Sequence, residues 1–332
     1  MNKSNLNINP LVSEIAGLFP CGKNSTYKSP DITCRLINSA LENQSLEAMY
    51  KLEGNFSADR MLNKLHEISK EQTENLMDNS NQKLKLPKRV NLAIDFHNKK
   101  FYGNKNHFEI MGSKGGKYVK KYIEASLTNP KYFISAYPVN QITNNKIKLI
   151  DKILDGFYEK YDSKIHLILI DREFFSKKVV EYFCSNNLKF IMPAKKDSAI
   201  KKLVEQFKLG KIKNKVRYKF GECFVNLLFL KVEEEVYVFM TNTKYSPLKA
   251  ALLYKKRWQI ETNFREQNNF LFKTKTLNFA IRYFAFVLAG LLFNLWQMSR
   301  NGKIESYLFK KKLKDIILVE FSELIIFCKG IG

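Results

Sequence analysis

The chain has 332 residues, 45% of them hydrophobic, enough for one large domain or two ordinary ones with a buried core, so disorder is excluded. Its 56 Lys and Arg against 32 Asp and Glu give a net charge of +24, and the pI is about 9.6. Such a surplus points to a polyanionic partner, with nucleic acid the first candidate. Five scattered cysteines without a Cys-x2-Cys pair argue against a zinc site or a disulfide framework and fit a reducing cytoplasm.

Residues 1–29 hold turn formers and specify little. Ser29-Pro30-Asp31 predicts a helix start, with Pro at the first helical position, and the helix runs to about Leu41. Ser45 to Leu52 reads as a second helix. A turn at Gly54-Asn55-Phe56-Ser57 follows, with Ser57 capping a third helix from Ala58 to about Ser69. This arrangement is compatible with a helix-turn-helix DNA-binding domain, and equally with a plain packing unit. Residues 1–90 carry 12 basic and 10 acidic side chains, a balance of +2, which leaves +22 for the remainder. Polar residues 71–88 read as a linker, so a helical domain over 1–88 is expected.

From Arg89 the texture turns to strands. Val90–Phe96 is the first, and a short second begins at Lys100–Tyr102 after a turn at His97-Asn98. A glycine-rich loop is expected at Gly112–Gly116, then strands Tyr118–Leu127 and Tyr132–Val139. A helix fits Lys146 to Tyr161. Ile165–Ile170 is an unbroken apolar run, the mark of a central strand covered on both faces. A helix over Phe174–Cys184 and a strand at Leu188–Met192 come next. Between about 195 and 247 the pattern departs from alternation. A short helix precedes three antiparallel runs, Lys215–Phe220, Cys223–Val232 and Val236–Thr241, read as an inserted β-rich lobe. A long helix from about Ser246 to Phe270, an apolar helix Ile281–Arg300 and a last helix near Ser306–Phe327 complete the chain. A single domain is therefore expected over 89–300, with 301–332 as a terminal helix. The apolar segment Tyr283–Met298, broken by Asn294 and Gln297, is expected to be a core helix, with no membrane span and no secretory signal.

Within the long helix, Leu253, Ile260, Phe264 and Leu271 fall within about 40° on a helical wheel, and Tyr254, Arg257, Glu261 and Arg265 form a stripe about 80° wide beside them. The ordinary reading of Glu261 is a surface ion pair with Arg257 and Arg265, worth a few tenths of a kcal/mol. A second reading is a metal-binding acid flanked by phosphate-binding cations. Two distant aspartates favour it, Asp95 after Val90–Ile94 and Asp171 after Ile165–Ile170, because adjacent strand ends are where sites collect in an open α/β sheet. The alternative fate of each is a strand-end turn cap. Three carboxylates cannot share a few ångströms without a cation, since repulsion would protonate one of them. Oxygen ligands favour Mg²⁺, with Mn²⁺ as substitute, and two such ions would serve phosphoryl transfer on nucleic acid. Arg257 is the expected phosphate fork, its alternative role being to orient Glu261. Tyr254 is expected either to stack on or bond to DNA or to lie half-buried, Arg172 is a weaker candidate DNA contact, and Trp258 and Phe264 are expected in the core.

With those residues in place, the chain resembles the DDE transposases of prokaryotic insertion sequences, closest to the group-four branch with its Tyr-x2-Arg-x3-Glu-x6-Lys signature. Tyr254, Arg257 and Glu261 fit that signature, while Asn268 stands at its Lys position. Ala93-Ile94-Asp95-Phe96-His97, Leu169-Ile170-Asp171-Arg172-Glu173 and Phe293-Asn294-Leu295-Trp296 support the match, which covers about Asn91 to Met298. The resemblance implies an RNase H-like α/β fold, a mixed sheet flanked by helices with an antiparallel β-rich insertion. Asp95, Asp171 and Glu261 would be the catalytic metal ligands, and Tyr254 and Arg257 would hold the transposon-end backbone; beside the resemblance, Arg265 and Arg172 are further expected DNA contacts. It also implies double-stranded DNA, transposon ends and target, as substrate, a homodimer working on it, and a place on the nucleoid in the cytoplasm. The competing expectations are an RNase H-like nuclease without strand transfer and a catalytically decayed DNA-binding product.

Overall fold

The computed structural model describes residues 8–22, 25, 27–54, 57–103, 106–112, 117–299 and 304–329, except for the side chains of 258, 259 and 318–329. Asn55 and Phe56 of the expected turn, and 113–116 of the expected glycine-rich loop, lie outside the described residues. The chain divides into two units, Met1–Leu84 with Phe264–Gly332, and Lys85–Asn263. The residues after Asn263 therefore group with the N-terminal helices, whereas the sequence led us to expect a single catalytic domain to residue 300.

The first unit opens with α1 (Asn9–Gly17), α2 (Ser29–Leu41), α3 (Leu46–Glu53), α4 (Ala58–Leu65) and α5 (Lys70–Gln82). Ser45, Ser57 and Ser69 each accept a first-turn N–H, from Ala48, Arg60 and Gln72, and so satisfy donors a helix start leaves open. The expected linker at 71–88 is mostly α5. A Ser69–Gln72 capping box starts it, and Thr73, Leu76, Met77 and Asn81 recur at helical spacing and are buried. Its polar majority faces solvent, and that majority is what composition alone registered.

The second unit is built on a sheet. Its elements are β1 (Arg89–Lys100), β2 (Met111–Gly112), β3 (Tyr118–Leu127), β4 (Phe133–Val139), α6 (Lys146–Lys160), β5 (Lys164–Ile170), α7 (Lys177–Ser185), β6 (Phe190–Pro193), α8 (Ser198–Lys208), β7 (Lys215–Phe220), β8 (Cys223–Val232), β9 (Glu235–Thr241) and α9 (Pro247–Lys255). The helix α10 (Trp258–Asn268) follows, and the division between units falls inside it. Among the described residues the strands form one nine-stranded sheet in the order β2-β3-β1-β5-β6-β9-β8-β7, with β4 also on β3. β1, β3 and β4 are antiparallel neighbours, whereas β5 and β6 run parallel to β1 through the crossovers α6 and α7. Leu167, Ile168, Leu169 and Ile170 are all fully buried, as a continuous apolar run in a central strand requires.

One expectation changes here. β1 continues without a break to Lys100, because His97 and Asn98 pair with Tyr122 and Lys121 of β3 rather than turning. The expected antiparallel β-rich insertion is present as β7, β8 and β9. Ile191 of β6 pairs with Thr241 of β9, so β9, β8 and β7 prolong the same sheet.

The chain then returns to the first unit with α11 (Phe279–Ser299) and α12 (Ser306–Lys329). Every residue from Tyr283 to Trp296 is buried. At 21 residues α11 is long and apolar enough to cross a membrane by length and composition, and longer than the sequence suggested, yet it is enclosed like a core helix. Its buried Asn294 donates to Asn81 of α5 at 2.9 Å, giving two amides a partner where an unpaired one would be costly.

Candidate active site

The parallel register of β1 and β5 pairs Ile94 with Ile170. The next residues, Asp95 and Asp171, therefore lie side by side on strands about 4.8 Å apart. Asp95 Oδ1 accepts the Phe96 N–H at 2.8 Å, and Asp171 Oδ2 accepts the Glu173 N–H at 3.0 Å, capping a short 3₁₀ turn over Arg172–Phe174. The strand-end cap is thus one role of Asp171, and its Oδ1 remains for another.

The third acid arrives on a broken helix. Where one continuous helix was expected from about Ser246 to Phe270, α9 stops at Lys255 and α10 begins at Trp258. The junction is tightened by N–H bonds three residues back, Lys256 to Leu253 at 3.1 Å, Arg257 to Tyr254 at 2.8 Å and Ile260 to Arg257 at 2.7 Å. Side chains three apart eclipse in such a turn, so the Arg257 guanidinium lies over the Tyr254 ring, 5.2 Å from its centroid. The wheel of a straight helix fails for the same reason. Tyr254, Arg257 and Ile260 are buried, while Leu253 and Phe264 are only half-buried.

Arg257 joins the three acids. Its Nη1 donates to Asp95 Oδ2 at 2.5 Å, its Nη2 donates to Glu261 Oε1 at 2.9 Å and stands 3.7 Å from Asp171 Oδ1. The side chain is 6% exposed, against 13% for Asp95, 32% for Asp171 and 53% for Glu261, so the acids line a cup open on the Glu261 side. Burial raises the Asp95 carboxyl to about 7, Arg257 pulls it down, and Asp171 and Glu261 push it up again. Burial opposes the Arg257 charge too, but Tyr254 and the three acids outweigh it and raise its pKa. The Tyr254 phenol is raised, mainly by burial.

A cavity of about 560 Å³ opens beside this cup, lined by Asp171, Arg172, Lys196, Tyr237, Tyr254 and Lys255 among others. Arg172 is exposed at its wall. Arg265 is exposed as well and belongs to the other unit. The Trp258 side chain lies outside the described residues.

Sequence reasoning missed three things. Glu124 of β3 is fully buried and directly opposite Asp95 in the antiparallel register, where it accepts from Ser126 Oγ at 2.8 Å and lies 3.8 Å from His97 Nδ1. Burial and the neighbouring Lys99 hold that imidazole well below its usual range, so His97 is neutral. Lys196 and Lys255 add cations to the cavity, and only strand order brings them there. Cys184 and Cys223, far apart in sequence, meet as thiols, and burial together with Cys223 raises the Cys184 thiol to about 12. An acid one strand over from Asp95 could have been found by alternation along Tyr118–Leu127; the other two could not.

Three carboxylates aimed at one cation suit a hard divalent ion by donor chemistry. As they lie, however, among the described residues no three acids, imidazoles or thiols stand close enough to hold one.

The sheet, its crossovers and the prolonging hairpin define an RNase H-like α/β fold. The family described as "Transposase DDE domain" matches residues 86–293, and the chain belongs to it. It is therefore an enzyme of DNA transposition that cleaves DNA and transfers strands, in a family that generally uses divalent metal ions. Among solved structures, the piggyBac transposase synaptic complex with hairpin DNA superposes with a TM-score of 0.66 at 13% identity, covering 96% of this chain and 79% of that chain. At that identity the likeness establishes the fold. No curated protein sequence matches the chain.

Proposed function

We propose that the protein is the transposase of an insertion sequence, cutting at the terminal inverted repeats and joining the freed ends to a target by cut-and-paste transposition. The observation that carries this reading is the convergence of Asp95, Asp171 and Glu261, distant in sequence, on a single guanidinium. In this reading those three acids hold Mg²⁺, or Mn²⁺ in its place, as a pair of ions that would polarise the scissile phosphate and activate its attacker. The chain's own residues do the rest. Arg257 grips phosphate, Tyr254 braces Arg257 from beneath, Arg172 lines the approach, and Arg265 meets the DNA backbone further along. We further propose that the N-terminal helices contribute DNA recognition, that the working form is a homodimer on the nucleoid, and that the open side of the cup at Glu261 admits the strand.

The test is a strand-transfer assay with paired inverted-repeat ends, taken from the DNA flanking the gene, and a target plasmid. Wild type should cleave and join in Mg²⁺. Glu261→Gln should lose both by on the order of a thousandfold while keeping its circular dichroism spectrum. Undiminished cleavage by Glu261→Gln would remove that residue from the site, and cleavage without joining would favour a nuclease of the same fold.

A further inference from the structure

The guanidinium that gathers the acids is the cation they share. Arg257 binds Asp95 and Glu261 through two different nitrogens, and this planar fork holds the carboxylates around itself, whereas Mg²⁺ draws oxygens to about 2.1 Å. That is why the three acids share one cation yet form no ready ion cage. Asp95 has little left to offer, since Oδ1 already accepts a backbone N–H and Oδ2 faces Arg257. Arg257 itself is not fully committed: its Nε is buried and makes no hydrogen bond among the described residues.

We propose that Arg257 is the resident counter-cation of the metal-free site, and that a divalent ion and a DNA phosphate enter it together by exchange. The ion takes the Asp95 and Glu261 oxygens, and the released guanidinium turns to the phosphate. The direction of the coupling follows from what surrounds Arg257. The adjoining cavity is walled by Arg172, Lys196 and Lys255 against Asp171 and Glu235, so a guanidinium expelled without DNA would move where cations outnumber acids. A phosphate in that cavity removes the obstacle. Ion and DNA therefore bind cooperatively, and by linkage each tightens the other equally. The exchange rests on the transposase reading of the same acids, and its test separates the two.

Mn²⁺ binding to the full chain is measured by the electron paramagnetic resonance of the free ion, with and without a duplex oligonucleotide. Glu261→Gln with duplex is the blank for ions held by the DNA. Without DNA, Arg257→Gln should bind Mn²⁺ about tenfold or more tighter than wild type, with Arg257→Lys between them. Duplex should tighten wild type by a similar factor and leave Arg257→Gln unchanged. If Arg257→Gln binds no tighter than wild type while Glu261→Gln abolishes binding, the exchange is wrong and the acids remain the ion site. If Glu261→Gln binds Mn²⁺ like wild type, the carboxylate reading falls and the exchange with it. Should Arg257→Gln fail to fold with its acids unopposed, wild type decides alone: an Mn²⁺ affinity indifferent to duplex overturns the proposal.

Discussion

Tyr254 shows how much one side chain in the cup contributes by shape rather than by hydrogen bonding. Its ring packs on Phe239 at 5.4 Å and carries Arg257, while its hydroxyl is buried and, among the described residues, engages only the Arg257 guanidinium, without good hydrogen-bond geometry. Tyr254→Phe should therefore change stability by less than about 1 kcal/mol, and Tyr254→Ala should cost about 3–5 kcal/mol in urea unfolding. Lys99 offers a pH-dependent counterpart. It stands in register with Lys120, two residues from His97, and burial lowers it from 10.5 to about 8 against the pull of Glu124. The unfolded chain keeps that proton to about pH 10.5 and the folded chain releases it near 8, so stability from this group rises across that window and its cost is full below it. Lys99→Met should then stabilise the protein at pH 7, by up to about 3 kcal/mol before discounting for its partial exposure, with the gain gone near pH 10.5. A constant difference between the two proteins across pH would refute this. At this scale the acids were legible because an aspartate ending an apolar strand stands out in a sequence. The Arg257 bridge to Asp95 was not, because it depends on a local break within a stretch, Leu252–Arg265, that contains neither Gly nor Pro.

Strand and helix identities between Tyr118 and Thr241 followed from alternation and apolar runs, and several boundaries agree to the residue, β3, β7 and β8 among them. The failures have physical causes. A helix that buries one narrow stripe looked like a linker, and β1 overran a polar pair because β3 supplied partners for it. The turn joining β7 to β8 holds Gly221 at φ +65°. Its tie to the rest of the unit was not foreseen: Glu181 of α7 accepts the Glu222 N–H at 3.0 Å, and a Cβ on Gly221 would meet that carboxylate at 2.0 Å. Gly221→Ala should cost about 1–3 kcal/mol, partly for the left-handed backbone and partly for the displaced carboxylate. In a Glu181→Ala background the penalty should shrink to the backbone share, and equal penalties in both backgrounds would show that the contact carries no weight.

For the whole chain, charge was the most readable property. The Lys85–Asn263 unit carries 36 basic and 17 acidic residues, +19 of the net +24. Its affinity for duplex DNA should fall on the order of a thousandfold between about 50 and 200 mM salt as phosphates regain their counterions, and a flat titration would count against backbone contact. Which residues belong to which unit was not readable, because that is decided by partners far along the chain. Asn294 reaches Asn81, Lys310 reaches the Asn269 carbonyl, and Lys314 pairs with Glu42, all within the helical unit. That unit is thus assembled from both ends of the polypeptide around an uninterrupted sheet unit. On the ribosome, the strands and every acid of the cup are synthesised while α1–α5 still wait for α11 and α12. A messenger cut short after Asn263 would encode all three acids of the cup and leave those early helices without α11 and α12.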